Sequence, residues 1–498
     1  MNPCRTVRPR LFNFSNSYSE LPERFYARLR PTSVAKPGLI KVNRKLAEEL
    51  CLDPDMLESN AGVAVLAGNS IPDGAVPLAM AYAGHQFGGW VPQLGDGRAI
   101  LLGEVIDQNG VRRDVQLKGS GPTPFSRMGD GRAWLGPVMR EYLVSEAMHA
   151  LGIPSTRSLA AVATGEPVQR ERVYPGAVLT RVAKGHIRVG TFQYFLARND
   201  IEALRLLADY TIARLHPDAF NSENPILGLL ERVVDGQARL VAAWMGAGFI
   251  HGVMNTDNVS LACETIDFGP CAFMDNFHPH KVFSSIDHAG RYAFSNQPSV
   301  CHWNLAQFAT TLLPILGLGK EDAIKVATDA VNQFEDRFTE AWLTVFRRKL
   351  GLAVNKNNES LISGFLKLLA ESEADFTVAF RRLTELTATG GKGDDAFVAY
   401  LGGNHAARDW LSAWRQRLGQ DRRPASFRQR VMNSYNPALI PRNHLIEQAI
   451  DEAVAGNFQL FHDLDRAWTA PYSDHPQSDR FTLPPTQEEV VCRTFCGT

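Results

Sequence analysis

Cysteine is scarce in this chain. There are seven in 498 residues, and no Cys-x-x-Cys units recur at zinc-ribbon spacing. That argues against a disulfide scaffold or a structural zinc, and it fits a reducing compartment. Long hydrophobic runs are missing as well: the longest, residues 305–318, is broken by Gln307, Thr310, Thr311 and Pro314 and falls short of a membrane span. The first twenty residues carry Arg5, Arg8 and Arg10 but no apolar stretch, so no secretory signal is expected, while a transit peptide stays open. Nor is there an excess of either charge. Lysine plus arginine (52) nearly cancels aspartate plus glutamate (53), which removes the global electrostatic case for nucleic acid or an anionic membrane as partner. No repeat of fixed period is present.

What is there describes a folded chain. Hydrophobic residues make up 45% and charged ones 21%, and the length exceeds one ordinary core, so one large two-lobed unit or two to three domains is expected. Residues 84–118 place glycines and a turn at 94–97 ahead of a strand at 99–106. Asn109-Gly110 then marks a hairpin, and the return strand at 114–118 ends on Lys118. Pro137 suits the first turn of a helix with apolar residues at Val138, Tyr142, Met148 and Leu151, stopped by Gly152 and Pro154; Glu141 and Glu146 ride on it. Two more strands are read at 158–164 and 177–182, separated by a polar Gly-Pro-containing connection. Beyond residue 198 the periodicity turns helical, interrupted by HGVMNTDN at 251–258 and IDFG at 266–269. From about 470 the chain reads as an extended tail.

Glycine-rich turn, strand lysine, helix glutamate, a histidine loop ending in asparagine and Asp-Phe-Gly stand in the order of a protein kinase's working parts. Gly95 and Gly97 would let backbone N–H groups approach phosphate. Lys118 would neutralise phosphate oxygens, oriented by Glu141, with Glu146 as the competing partner. Asn258 and Asp267 offer hard oxygen ligands suited to magnesium bridged to phosphates. One part does not fit: two residues after His251, where a kinase carries its catalytic aspartate, stands Val253, which can neither accept a proton nor orient a hydroxyl. Asp257 is the nearest carboxylate, either replacing that base or only bracing the loop. Arg181 and Arg188 flank the junction of the two halves. Facing the cleft, they would draw a polyphosphate tail inward and turn the α-phosphate toward the acceptor.

The stretches GHQFGGWVPQLGDGRA, QLKGSGPTPFSRMGDGRA, LTRVAKGHIRVGTFQYF, HGVMNTDNVS, IDFGPCAFMD and HAGRYAFSNQP closely resemble the selenoprotein O family of protein adenylyltransferases. The resemblance implies an α+β, protein-kinase-like two-lobed fold with family-specific extensions: an N-terminal extension (1–80), a β-rich lobe (81–198), a helical lobe (199–470) and a tail (471–498). It implies transfer of AMP from ATP to serine, threonine or tyrosine of protein substrates with Mg²⁺; transfer of UMP from UTP with Mn²⁺ is also attributed to members. Carried over residue by residue, it assigns nucleotide binding to Gly95, Gly97, Arg98, Lys118, Asp130, Gly131, Arg181, Arg188 and Asp267. Asp257 becomes the proton acceptor, Asn258 and Asp267 the metal ligands, and Glu141 the residue that orients Lys118. Cys496 matches a position where some relatives carry selenocysteine, and Cys271, just after Asp-Phe-Gly, is its candidate redox partner; the loop around Phe283 has no cysteine. A bacterial member would be cytoplasmic and a eukaryotic one mitochondrial, with no nucleic-acid or membrane partner. An ordinary kinase using Asp257, and a non-catalytic ATP-binding scaffold, remain competing readings.

Overall fold

The computed structural model describes residues 11–355, 358–473 and 476–495. It shows a mixed α/β architecture. One antiparallel sheet runs in the order Tyr26–Arg28, Leu78–Met80, Ala99–Ile106, Arg112–Lys118, Val173–Ala183, Arg157–Gln169, Gly38–Val42, with the short strand Ala133–Trp134 also paired to Val173–Ala183. The segment before residue 81 supplies both edge strands.

Register decides what the sheet presents. Lys118 lies opposite Ala99 on one side and Leu179 on the other, and Gln116 lies opposite Leu101 and Arg181. Paired residues share a face and alternate residues along a strand return to it, so Lys118, Gln116, Leu179 and Arg181 all point the same way. Val115, Leu117, Val178 and Val182 point the other way into a separate apolar cluster, closed by Leu46, Val63 and Leu66 of the helices Arg44–Glu49 and Asn60–Leu66.

The strand Ala99–Ile106 and the turn at Asn109-Gly110 lie where periodicity placed them; Gly110 has φ +78° and its N–H bonds the Asp107 carbonyl. The expected Gly-Pro connection is not a loop. The two strands extend to Gln169 and from Val173, and the chain turns only at 170–172. Pro167 and Pro175 face each other with a register shift beside them, so two residues that cannot donate to a ladder occupy one irregular place in it.

The helix Leu135–Ala150 packs against the sheet on the Lys118 side. Its other neighbours are the helices Asn443–Val454 and Gln459–Trp468. Past the segment 184–188 the chain is helical: Val189–Leu196, Ile201–Leu215, Pro225–Ala247, Gln297–Leu312 and the thirty-residue Lys320–Lys349. Between 248 and 296 it is irregular apart from a small two-stranded sheet, Phe249–Ile250 with Ala272–Phe273. The tail folds back: Thr494 is buried, accepts from Ser285 N–H, donates its own N–H to Phe283 and its hydroxyl to the Pro270 carbonyl. Among the described residues no helix is long and apolar enough to cross a membrane.

Candidate active site

A cavity of about 800 Å³ opens between the sheet and the irregular segment. Lys118, Glu141, Arg181, Arg188, Asp257, Asn258 and Asp267 line it, together with Gly95, Gly97, Arg98, Asp130 and Gly131. Residues spread over more than 170 positions of sequence thus meet around one space. Asp267 is the centre of the charged cluster: its Oδ1 accepts from Lys118 Nζ at 2.7 Å and from Arg181 at 2.8 Å, and its Oδ2 from Arg188 at 2.8 Å. Burial would raise its carboxyl, but Lys118, Arg181 and Arg188 outweigh that and hold it well below the usual range. Its backbone is left-handed, φ +65°, a strained conformation for a non-glycine residue that the surrounding ion pairs hold in place.

Glu141 takes Lys118 at 2.6 Å and Arg181 at 3.2 Å. Glu146 does not compete. Five residues further along the helix it points about 140° away, where Arg157, Asn43 and the Ser158 N–H satisfy it. Arg181 is 1% exposed and also donates twice to Gln116 Oε1, at 2.6 and 3.2 Å. Arg188, 3% exposed, reaches the Asp257 carbonyl at 2.6 Å and lies over the Tyr82 ring at 4.7 Å. Gln116 and Tyr82 carry no motif signal; the first is identifiable only once Arg181 is known to lie opposite it.

Gly95 and Gly97, which line the cavity, are also constrained by packing. A Cβ on Gly95 would run into the Phe125 ring, and one on Gly97 would lie 2.9 Å from the Phe125 carbonyl. Their absence of side chains lets the loop 119–132 close onto the turn at 94–97, fastened by Thr123 Oγ1 to the Asp96 carbonyl at 2.7 Å. Asp130 is forked by Arg170 at 2.8 and 3.1 Å, which holds the far end of that loop to the long hairpin.

The loop 251–258 is held from below by His251 Nε2 to the Ile266 carbonyl (2.9 Å) and Asn304 Nδ2 to the Met254 carbonyl (3.0 Å). Asn258 donates Nδ2 to the Val253 carbonyl at 3.0 Å, and among the described residues its Oδ1 has no hydrogen-bond partner. Asp257 is 7% exposed. Burial pushes its carboxyl up to about 6 against the pull of Arg188, a value that leaves it mostly ionised at neutral pH yet able to take a proton. Val253 lines the same cavity with nothing but methyl groups.

A hairpin that motif reading passed over, Gly84–Gln86 with Gly89–Val91, leans on this loop: His85 N–H bonds Thr256 Oγ1 at 2.7 Å and Phe87 N–H bonds Asn255 Oδ1 at 2.9 Å. Cys271 lies outside the cavity. Its thiol is buried, donates to the Phe268 carbonyl at 3.3 Å, and is pushed up to about 12 by burial. Cys496 lies outside the described residues.

A family model described as protein adenylyltransferase SelO matches residues 10–468. The chain is 56% identical over 490 residues to the protein nucleotidyltransferase YdiU of Bradyrhizobium diazoefficiens, covering 98% of this chain and 99% of that protein. It is 55% identical over 486 residues to the YdiU nucleotidyltransferase of Nitrobacter hamburgensis (97% and 96%) and 54% over 489 residues to that of Rhizobium meliloti (98% and 99%). Similarity of this extent, joined to a cleft in which Lys118, Arg181 and Arg188 converge on Asp267 beside Glu141 and Asp257, defines an enzyme of the nucleotidyltransferase class. The chain belongs to the SelO family of protein adenylyltransferases.

Proposed function

We propose that this enzyme transfers AMP from ATP to serine, threonine or tyrosine hydroxyls of protein substrates, in a cleft of protein-kinase-like, two-lobed design. The sheet with the helix Leu135–Ala150 would form one lobe and the helices after residue 188 the other. The observation that carries the reading is the meeting of Lys118, Arg181 and Arg188 on Asp267, beside a loop whose carboxylate is Asp257 and whose kinase-base position is Val253. Two buried guanidiniums and an ammonium suit the β- and γ-phosphates, the most highly charged part of a nucleotide. With the tail held there, the α-phosphorus is presented to the acceptor. The hydroxyl oxygen bonds to it, the bond to the bridging oxygen of the β-phosphate breaks, and pyrophosphate leaves. The hydroxyl proton passes to Asp257. Arg181 and Arg188 stabilise the charge that develops on the leaving group.

Magnesium suits the donor set. Asp267, whose oxygens here face Lys118, Arg181 and Arg188, and Asn258 Oδ1, without a hydrogen-bond partner among the described residues, are the hard oxygens that would hold it, and two protein ligands are what an ion that keeps waters and phosphate oxygens requires. Bound there, it would neutralise phosphate charge; Mn²⁺ would use the same donors, and UTP is the alternative nucleotide. Gly95, Gly97, Arg98, Asp130 and Gly131 would enclose the nucleoside end, because they lie on the loops that close the cavity. ATP labelled separately at the α- and γ-phosphate tests the reading. Covalent α-label on protein is expected; covalent γ-label alone would support an ordinary kinase, and neither label a binding scaffold.

A further inference from the structure

Three side-chain and backbone groups of one hairpin, from its first strand and its turn, hold three consecutive residues of the 251–258 loop. His85 N–H takes Thr256, Phe87 N–H takes Asn255, and between them Gln86 Nε2 reaches Asp257 Oδ2 at 3.3 Å. The two oxygens of Asp257 are not equivalent. Oδ1 is sealed from solvent and has no hydrogen-bond partner among the described residues, and a Cβ built on Gly84 would lie 2.5 Å from it. Only Oδ2 is left to meet an acceptor hydroxyl, and Gln86, which itself lines the cavity, sits on that oxygen. Gln86 Oε1 has no partner among the described residues. Gly84 and Gln86 lie on one face of the hairpin, two residues apart, so the strand presents a flat place and an amide to the same carboxylate.

We infer that Gly84 and Gln86 are positioning residues that fix which oxygen of Asp257 faces the acceptor. Gly84 seats Oδ1 because no side chain intrudes there. Gln86 steers Oδ2 through Nε2 and presents Oε1 beside it, where the acceptor hydroxyl or its neighbouring peptide N–H would dock. The tight seat at Gly84 explains why a glycine stands where the backbone itself does not demand one: its φ is not in the left-handed region. The three atoms nearest a methyl group there all belong to the Asp257 side chain, so the methyl group presses on the base.

The inference rests on the α-phosphoryl transfer proposed above. The parent enzyme's own transfer of α-label reports on that reading, and the ratio of variant to parent reports on this one. Gln86→Met keeps length without the amide, and Gly84→Ala adds the intruding methyl group. Each is expected to lower kcat for protein modification about tenfold, with KM for ATP and the Kd of a non-transferable ATP analogue within about twofold of the parent. A structural defect would not give the second result: in an Asp257→Asn background, Gln86→Met should cause no further loss, because the group it acts through is gone. A parent-like kcat in both single variants would overturn the inference. So would a parallel loss of analogue affinity, or an undiminished Gln86→Met effect in the Asp257→Asn background.

Discussion

Replacing Asp267 by alanine removes the common partner of three cations. Each contact, 2.7 to 2.8 Å long, carries roughly 6 kcal/mol of Coulomb attraction at an effective dielectric near 20, most of it offset by the cost of burying the charges. The net effect of stripping one partner from a buried pair is about 3 to 5 kcal/mol, because the remaining charges stay desolvated. Arg181 and Arg188 cannot turn to water, at 1% and 3% exposure, and Glu141 alone contacts both Lys118 and Arg181 afterwards. The variant is therefore expected to melt several degrees lower than the parent and to lose transfer by about a hundredfold or more. The same three cations, released from their carboxylate, form a better anion site. Inorganic tripolyphosphate without divalent metal should raise the melting temperature of Asp267→Ala by more than it raises that of the parent. Differential scanning fluorimetry with and without tripolyphosphate reads both effects. A variant that melts with the parent and responds no more strongly to tripolyphosphate would refute the view that the three cations gathered on Asp267 form the polyphosphate site.

Lys118→Ala should raise KM for ATP and lower kcat together, since its charge meets phosphate in both the ground and transition states; steady-state kinetics with both constants unchanged would assign that work elsewhere. Arg181→Ala should harm folding as well as transfer, because Gln116 and Glu141 lose a buried partner, so its soluble yield and melting temperature fall below those of Lys118→Ala; equal stability would contradict the hydrogen-bond network. Lys349 is buried against Phe376 and Phe380 with its ammonium 3.2 Å from the Tyr435 carbonyl, and burial lowers it from 10.5 to about 7. Between those values the unfolded chain binds more protons than the folded one, so this lysine makes stability rise with pH across that window. Lys349→Met should flatten the rise in denaturation midpoint from pH 7 to 10, and an unchanged slope would remove Lys349 as its source.

Particular residues show how far the sequence carries. Lys118 is legible because it ends a strand bounded by a turn signal and a glycine loop, and the strand, the turn and the loop all have local chemical signatures. Glu141 is half legible: the helix is clear from its spacing, but choosing between Glu141 and Glu146 needs the strand that brings Arg157 to the latter. Gln116 and Gln86 are silent in sequence because their roles come from strand register and from a hairpin of three-residue strands too short to show periodicity. The long pair Arg157–Gln169 and Val173–Ala183 hides behind Gly165, Pro167 and Pro175, residues that mark a loop in most contexts and here mark an irregular ladder. The tail is misleading for the same reason: polar and proline-rich, it still buries Thr494 through backbone bonds that composition cannot register.

The central claim is the identity of the group transferred. Incubating the enzyme with ATP and magnesium, with the enzyme itself and a cell extract as acceptors, and then mapping modified peptides by mass spectrometry decides it. Adenylyl groups on serine, threonine or tyrosine, with pyrophosphate released in equal amount, are the predicted result. Phosphate alone on those residues, with ADP as the second product, would contradict it.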